Sequence, residues 1–212
     1  MKFKGIIFDL DGVICFTDKY HYAAWKALAD RLGIYFDEKI NDRLRGVSRM
    51  ASLEIVLERS EKSYTSAEKQ AFAEEKNANY RKLLAAMSPA DITKEVRGTL
   101  EELKKRGYRL AVGSSSKNTP LILERTDTKK YFDAVSDGNN IVRSKPDPEV
   151  FVKAAEMLGR PPSECLVVED ALAGIEAGRR GGFSTAALGG DAAPSGKADF
   201  VLRGFSDILN IV

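Results

Sequence analysis

Short, continuously apolar runs recur along this chain, and each is followed by a segment whose apolar positions repeat with helical spacing. The runs are GIIFDL, YRLAVGS, FDAVSD, ECLVVED, STAAL and DFVL. Continuous rather than alternating apolarity is typical of strands that are covered on both faces, as in a parallel sheet. Strands that alternate with helices are joined by right-handed crossovers. The pattern therefore predicts an α/β fold with an open parallel-sheet, Rossmann-like core.

One long interval, from about Phe16 to Asp91, has helical spacing but no convincing strand. We expect helices in DKYHYAAWKALADRLG, which Gly33 would end, in SRMASLEIVLER, which Ser48 would cap, and in SAEKQAFAEEKNANYRKLLAAM, which Ser66 would cap. A helical block of this length is too long for one crossover. The sequence therefore predicts an α/β catalytic core formed by residues 1–15 and 91–212, and an inserted helical cap domain formed by residues 16–90.

Composition and charge narrow the range of partners. The chain has 33 Lys and Arg and 31 Asp and Glu, which gives a formal net charge of +2, and no basic block is long enough to follow a nucleic-acid backbone. The first apolar run is short and is interrupted by Asp9 and Asp11, unlike a signal peptide or a membrane span. The two cysteines, Cys15 and Cys165, fit a reducing compartment. We expect a cytoplasmic protein that binds neither nucleic acid nor membranes, and no obligate protein partner is evident.

Polar residues follow several of the predicted strands. They are Asp9 and Asp11 after the first strand, Ser114, Ser115, Ser116, Lys117 and Asn118 after the second, Lys145 in the loop RSKPDPEVF, and Glu169 and Asp170 after a later strand. Ligands of open α/β sheets bind outside the carboxyl ends of the strands. We therefore expect these side chains to converge at one edge of the sheet.

Each of these motifs also has a structural explanation when it is taken alone. Asp-Gly is a common turn dipeptide, the serine run could cap a helix, and Glu169 and Asp170 could complement the dipole of a helix N-terminus. Their joint occurrence indicates chemistry, because several carboxylates at one edge repel each other unless a cation neutralises them. Mg²⁺ is the simplest such cation, since it prefers carboxylates, water and phosphate oxygens.

Carboxylates beside Mg²⁺ can attack phosphorus and form an aspartyl phosphate. Asp9, at the end of its strand, is the candidate nucleophile, and Asp11 is the candidate general acid and base. Ser114 and Lys145 are candidates for holding the equatorial oxygens of the transferring group. The residues therefore favour phosphoryl transfer.

The motifs DLDG, SSS, SKPDP and VVEDALAGIEAG, in this order, resemble those of the haloacid dehalogenase superfamily. Within it, the segments TDKYHYAAWKALAD, RLRGVSR, EEKNANY and SSSKN are most similar to the β-phosphoglucomutases, and the resemblance extends to about Leu188. It implies an isomerase with Mg²⁺ as cofactor and a phosphorylated sugar as substrate. Such an enzyme interconverts β-D-glucose 1-phosphate and glucose 6-phosphate through an aspartyl-phosphate enzyme and a glucose 1,6-bisphosphate intermediate.

The resemblance also implies a role for each matching residue. Mg²⁺ would be held by Asp9, the backbone carbonyl of Asp11, Glu169 and Asp170. Thr17 and His21 would link cap closure to the positioning of the acid/base. Ser115 would bind the substrate as part of the serine run, and Arg49, together with Ser116, Lys117 and Asn118, would bind the non-reacting phosphate. A turn of the cap, formed by Gly46, Val47 and Ser48, would approach the sugar. The interface between cap and core would be lined by His21, Trp25 and Lys76.

Two other functions stay open at this point. The same catalytic residues would serve a Mg²⁺-dependent sugar-phosphate phosphatase, in which water attacks phospho-Asp9. A phosphatase would not need Arg49 and Asn118 to hold a second phosphate. A non-catalytic phosphate-binding module is less favoured, because a pure binder has little use for Asp9 beside Asp11.

Overall fold

The computed structural model describes residues 3–44 and 47–212, and within these residues six parallel strands form one sheet. The strands are β1 (Gly5–Phe8), β2 (Arg109–Gly113), β3 (Ala134–Ser136), β4 (Cys165–Glu169), β5 (Ser184–Leu188) and β6 (Phe200–Leu202). Their order across the sheet is β3-β2-β1-β4-β5-β6. The predicted α/β class with an open parallel sheet is confirmed, and each of the six apolar runs contains a strand.

Eight α-helices lie within the described part of the chain. They are α1 (Asp18–Leu32), α2 (Glu38–Asp42), α3 (Arg49–Leu57), α4 (Ser66–Leu84), α5 (Lys94–Lys105), α6 (Thr119–Arg125), α7 (Glu149–Leu158) and α8 (Leu172–Arg180). Short 3₁₀ turns occur at Pro89–Asp91, Lys129–Tyr131, Pro162–Glu164, Ala193–Ser195 and Phe205–Asn210. None of the helices described here combines the length and the apolar character that crossing a bilayer requires.

The chain forms two compact units. Met1–Phe16 and Ser88–Val212 form the first, which contains the sheet, and Thr17–Met87 form the second, which contains α1 to α4. We refer to them below as the sheet unit and the helical unit.

Both faces of the sheet are covered by apolar side chains. On one face Ile7 of β1 and Ala111 of β2 belong to a buried cluster with Phe151 of α7. Phe8 is the next residue along β1, so it points to the opposite face, where its ring stacks on that of Phe205 at a centroid distance of 5.4 Å. This double coverage explains why the strands are continuously apolar, and it leaves polar groups to the strand ends.

The ends of the helices in the helical unit show which capping predictions were right. Gly33 ends α1 in the left-handed region with φ 70°, and the Ser48 hydroxyl caps α3 by accepting from the Ala51 amide at 3.3 Å. The prediction for α4 was wrong, because Thr65 and not Ser66 is its cap. The hydroxyl of Thr65 accepts from the Glu68 amide, and the Glu68 carboxylate accepts from the Thr65 amide. This reciprocal pair satisfies two amides at once, which Ser66 could not do.

Candidate active site

Three carboxylates meet at the carboxyl ends of β1 and β4, the two central strands of the sheet. β1 pairs with β4 in parallel from Gly5 opposite Cys165 to Phe8 opposite Val168, and the Asp9 amide extends this pairing by donating to the Val168 carbonyl at 2.9 Å. Asp9, Glu169 and Asp170 each offer one oxygen, and these oxygens lie within 4.8 Å of one another. The strand register therefore brings together residues that are far apart in the sequence.

The Lys145 ammonium lies inside this cluster. Its Nζ donates to Oδ1 of Asp9 and, at 2.5 Å, to Oε1 of Glu169, and all three side chains are buried. Burial by itself would lower the pKa of Lys145, but the two carboxylates outweigh burial and raise that pKa above its usual range. Lys145 is therefore a permanent positive charge beside the candidate nucleophile.

The carboxylates of the cluster fit a hard divalent cation. Burial raises the pKa of Asp9 well above its usual value, the charge of Lys145 opposes this rise, and Glu169, Asp170 and Asp11 add to it. One ammonium does not neutralise so many carboxylates, whereas a cation with several oxygen ligands would. All the donors are oxygens, which Mg²⁺ prefers over nitrogen or sulfur ligands. The residues present thus fit Mg²⁺, as the sequence pattern predicted.

Asp11 lies in a tight turn directly after β1. The amides of Ile14 and Cys15 donate to the carbonyl of Leu10, and the Gly12 amide donates to the carbonyl of Cys15 at 2.7 Å. Gly12 has φ 92°, and a Cβ at this position would lie 2.1 Å from a carboxylate oxygen of Asp170. Only glycine combines this backbone conformation with this close approach. The Asp-Gly pair is therefore both a turn and part of the wall around the acidic cluster.

The predicted serine run follows β2 and folds on itself. The Ser114 amide donates to the Ser136 carbonyl of the neighbouring strand β3. The hydroxyl of Ser114 accepts from the Ser116 amide at 3.2 Å, and that of Ser116 accepts from the Asn118 amide at 3.2 Å. The side chains of Ser114 and Asn118 are buried, whereas Lys117 is exposed. Within the described residues, the buried hydroxyl of Ser115 has no hydrogen-bond partner.

The loop that follows β3 supports this serine run, and sequence reasoning did not identify its role. The Gly138 amide donates to the Ser116 carbonyl, and the side-chain amide of Asn139 donates to the Lys117 carbonyl at 3.0 Å. The sequence GNN looks like an ordinary turn, so no local signal shows that it holds a second loop.

Glu149, at the start of α7, closes the segment that carries Lys145. Its carboxylate accepts from the amides of Val142 at 3.1 Å and of Arg143 at 2.8 Å, and it pairs with Lys153 at 3.0 Å. These hydrogen bonds lower the pKa of Glu149 to about 2. From the sequence alone, Glu149 looks like an acid that complements a helix N-terminus. Its carboxylate also ties the start of α7 to Val142 and Arg143, which lie on the other side of Lys145 in the sequence.

Gly174, in the first turn of α8, controls the position of Glu169. A Cβ at this position would lie 2.0 Å from Cδ and from Oε1 of Glu169. The second carboxylate oxygen of Glu169 accepts from the Ala171 amide at 2.8 Å. The carboxylate therefore lies against the helix backbone in a space that only glycine leaves open, and the motif EDALAG shows no sign of this by itself.

Three predicted cap residues come together inside the helical unit. Nζ of Lys76 lies 3.0 Å from Nδ1 of His21 and 4.7 Å from the centroid of the Trp25 ring. Lys76 and Trp25 are both buried, so Lys76 is not a solvated surface lysine. Burial lowers the pKa of His21 well below its usual value, and the charges of Lys76 and Arg49 lower it further.

The other predicted residues of the helical unit lie near the N-termini of α1 and α3. Thr17 is fully buried, and its carbonyl accepts from the amide of His21 at 3.0 Å. Val47, Ser48 and Arg49 are half-buried, and burial lowers the pKa of the Arg49 guanidinium. Gly46 lies outside the described residues.

The chain is similar to known proteins over most of its length. The family model described as haloacid dehalogenase-like hydrolase matches residues 3–182. The chain is 40% identical to β-phosphoglucomutase from Bacillus subtilis over 97% of this chain and 91% of that protein. It is 31% identical to a phosphorylated carbohydrates phosphatase from Thermotoga maritima over 85% and 82% of the two chains.

The similarity to β-phosphoglucomutase extends to a solved structure. The crystal structure of β-phosphoglucomutase from Clostridium difficile matches with a TM-score of 0.90 and 35% identity, and the match covers 97% of this chain and 93% of that one. The motifs that ended the predicted strands are thus part of a similarity that spans nearly the whole chain. The chain belongs to the family of haloacid dehalogenase-like hydrolases.

Proposed function

We propose that this protein is a β-phosphoglucomutase, which interconverts β-D-glucose 1-phosphate and glucose 6-phosphate through a bisphosphate intermediate. The observation that carries this choice within the family is the 40% identity to the Bacillus subtilis mutase over nearly the full length of both chains. The buried cluster of Asp9, Lys145 and Glu169 supports phosphoryl transfer in general, and it would serve a mutase and a phosphatase equally.

In this proposal the residues of the sheet unit carry the chemistry. Asp9, Glu169, Asp170 and the backbone carbonyl of Asp11 would hold Mg²⁺, which when bound would neutralise the carboxylates and withdraw charge from the phosphoryl oxygens. Asp9 attacks phosphorus and becomes the aspartyl phosphate. Asp11 removes the proton from the attacking sugar hydroxyl and returns it to the leaving oxygen.

Lys145 and Ser114 stabilise the charge of the transferring group. The Lys145 ammonium already contacts Asp9, so it lies next to the carboxylate that would attack phosphorus. A preorganised positive charge at this point needs no reorganisation when negative charge builds up in the transition state. The Ser114 hydroxyl is buried at the end of the adjacent strand β2, from which it would donate to a phosphoryl oxygen.

A mutase must also bind the phosphate that does not react. We assign this role to Arg49, together with Ser116, Lys117 and Asn118. Arg49 is half-buried at the first position of α3, where the helix dipole disfavours a cation, and a bound phosphate would offset this cost. Val47 and Ser48 would place the neighbouring backbone near the sugar, and Thr17, His21, Trp25 and Lys76 would complete the substrate site.

The alternative is a Mg²⁺-dependent sugar-phosphate phosphatase, and the identity to the Thermotoga maritima phosphatase favours it. The two functions differ in what attacks phospho-Asp9: a sugar hydroxyl in the mutase and water in the phosphatase. We further propose that the protein acts in the cytoplasm, and its two buried free thiols, Cys15 and Cys165, support a reducing environment.

The test is an assay that follows two products together. The protein is supplied with Mg²⁺, β-D-glucose 1-phosphate and a trace of glucose 1,6-bisphosphate, and both glucose 6-phosphate and inorganic phosphate are measured. The mutase produces glucose 6-phosphate with little phosphate release. Rapid phosphate release without glucose 6-phosphate would contradict the proposal and support the phosphatase. Asp9→Asn, prepared in the same way, controls for contaminating enzymes.

A further inference from the structure

Four side chains of the helical unit form a cluster that is centred on the ammonium of Lys76, and one of them, Tyr80, was not among the predicted site residues. Nζ of Lys76 lies 4.7 Å from the ring centroid of Trp25 and 4.6 Å from that of Tyr80. It also lies 3.0 Å from Nδ1 of His21. The ring centroids of His21 and Tyr80 are 4.1 Å apart. The two aromatic rings and the imidazole thus all lie beside the ammonium.

Helical spacing on two packed helices builds this cluster. His21 and Trp25 are four residues apart on α1, and Lys76 and Tyr80 are four residues apart on α4. Residues at this spacing lie on the same face of a helix. Lys76, Trp25 and Tyr80 are 3%, 2% and 1% exposed, so bulk water contributes little to holding the ammonium. The side chains around Lys76 therefore determine where its charge lies.

The chemistry of the groups determines where the proton of His21 lies. An aromatic ring face attracts a cation, so Trp25 and Tyr80 both favour the charged form of Lys76. An ammonium can only donate hydrogen bonds. Nδ1 of His21 must then accept through its lone pair, which leaves Nε2 as the nitrogen that carries the proton.

We propose that Tyr80 is a positioning residue that, together with Trp25, holds the Lys76 ammonium against Nδ1 of His21 and thereby keeps this imidazole neutral with its proton on Nε2. This inference rests on the proposed function, because it assigns a role to His21 in the same site. Nε2 of His21 is then a fixed N–H donor. It does not supply a proton that is transferred.

The charges around His21 support this assignment. Burial lowers the pKa of His21, and the positive charges of Lys76 on α4 and Arg49 on α3 act in the same direction. Tyr80 faces the ring from α4, with its ring centroid 4.1 Å from that of His21. Protonation of His21 would therefore place a third positive charge near the buried Lys76 and the half-buried Arg49.

The single histidine of the chain makes a direct test feasible. Long-range ¹H–¹⁵N NMR of the ¹⁵N-labelled protein, without substrate, reports the protonation state of each ring nitrogen of His21 across a pH titration. The variants are Tyr80→Leu, which removes the aromatic ring, Tyr80→Phe as the matched control that keeps it, and Lys76→Met. Thermal unfolding of each variant is measured in parallel.

We expect the wild type and Tyr80→Phe to show an unprotonated Nδ1 and a protonated Nε2, with a titration midpoint below the ordinary value of about 6.5. Tyr80→Leu should show a mixture of the two tautomers and a higher midpoint, and Lys76→Met should raise the midpoint further. A wild-type proton on Nδ1 would overturn the inference, and so would a Tyr80→Leu protein that loses only thermal stability.

If Tyr80→Leu does not fold, the Lys76→Met titration still tests the step on which the role of Tyr80 depends, which is the effect of the Lys76 ammonium on His21. A Lys76→Met midpoint equal to that of the wild type would overturn the inference. Because no substrate is present, these results do not depend on whether the protein is a mutase or a phosphatase. A failure of the inference about Tyr80, seen in the NMR titration, is therefore distinguishable from a failure of the proposed function, seen in the product assay.

Discussion

Replacing Gly174 with alanine should weaken the acidic cluster by displacing the carboxylate of Glu169. The new Cβ would lie 2.0 Å from Cδ of Glu169, whereas real Cβ contacts essentially never fall below 3.0 Å. The carboxylate must therefore move by about 1 Å, which is the difference between these two distances. Glu169 now bonds Lys145 at 2.5 Å and the Ala171 amide at 2.8 Å. A shift of this size breaks at least one of these contacts.

Three contributions determine the change in the free energy of unfolding. Overpacking costs about 1–3 kcal/mol, the lost hydrogen bond costs about 1 kcal/mol, and alanine in a helix regains about 1 kcal/mol. We therefore expect Gly174→Ala to lose roughly 1–3 kcal/mol of stability. Disturbing the groups that orient a metal ligand typically weakens metal binding about 10–100-fold. We expect a weakening of this order in the affinity for Mg²⁺.

The matched control is Gly98→Ala on α5. A Cβ at Gly98 would meet no atom within 4 Å, so this variant should gain about 1 kcal/mol from helix propensity alone. Both variants are compared with the wild type by urea unfolding, by the Mg²⁺ dependence of activity and by calorimetric Mg²⁺ titration. A Gly174→Ala protein with wild-type stability and wild-type Mg²⁺ affinity would refute this reasoning.

Three further predictions concern other residues of the sheet unit. Asp9→Asn should abolish the phosphoenzyme, because an amide is not a nucleophile toward phosphorus, and a phosphorylated Asp9→Asn protein detected by intact mass spectrometry would remove Asp9 from the proposed mechanism. Asn139→Ala should raise KM severalfold with little change in thermal stability, since it removes an exposed hydrogen bond to the Lys117 carbonyl; an unchanged KM would show that the serine run does not need this support. Glu149→Gln should lose stability at neutral pH but not in acid. The pKa of Glu149 is about 2 in the folded protein and about 4.3 when unfolded, so its contribution is present above the unfolded value and disappears as the pH falls toward 2. Equal destabilisation of Glu149→Gln at neutral pH and at a pH near 2 would contradict this.

The strands and the acidic residues at their ends were predictable from the sequence because local patterns encode them. A strand buried on both faces must be apolar at successive positions, and the first polar residues after it mark its carboxyl end. The six runs and the positions of Asp9, Glu169 and Asp170 follow from this rule. The caps Gly33 and Ser48 were also predictable, since each acts within one helical turn.

The supporting residues were not predictable, because their partners are not marked by any local pattern. Tyr80 has the spacing of an ordinary buried aromatic residue, and only the packing of α1 against α4 shows that it belongs to the cluster around Lys76. Asn139 looks like a turn residue until its contact with the Lys117 carbonyl is seen. Gly174 looks like a weak point in a helix until the carboxylate of Glu169 is found against it.

By itself, the sequence determined the α/β class, the positions of the strands and the residue types that could perform phosphoryl transfer. These properties depend on periodicity and on the local chemistry of turns and caps. Only the tertiary structure decided that Lys145 lies between Asp9 and Glu169 and that Lys76 is buried between two rings. Such contacts depend on strand order, register and helix packing, which bring together groups that are distant along the chain, and no local pattern specifies those distances.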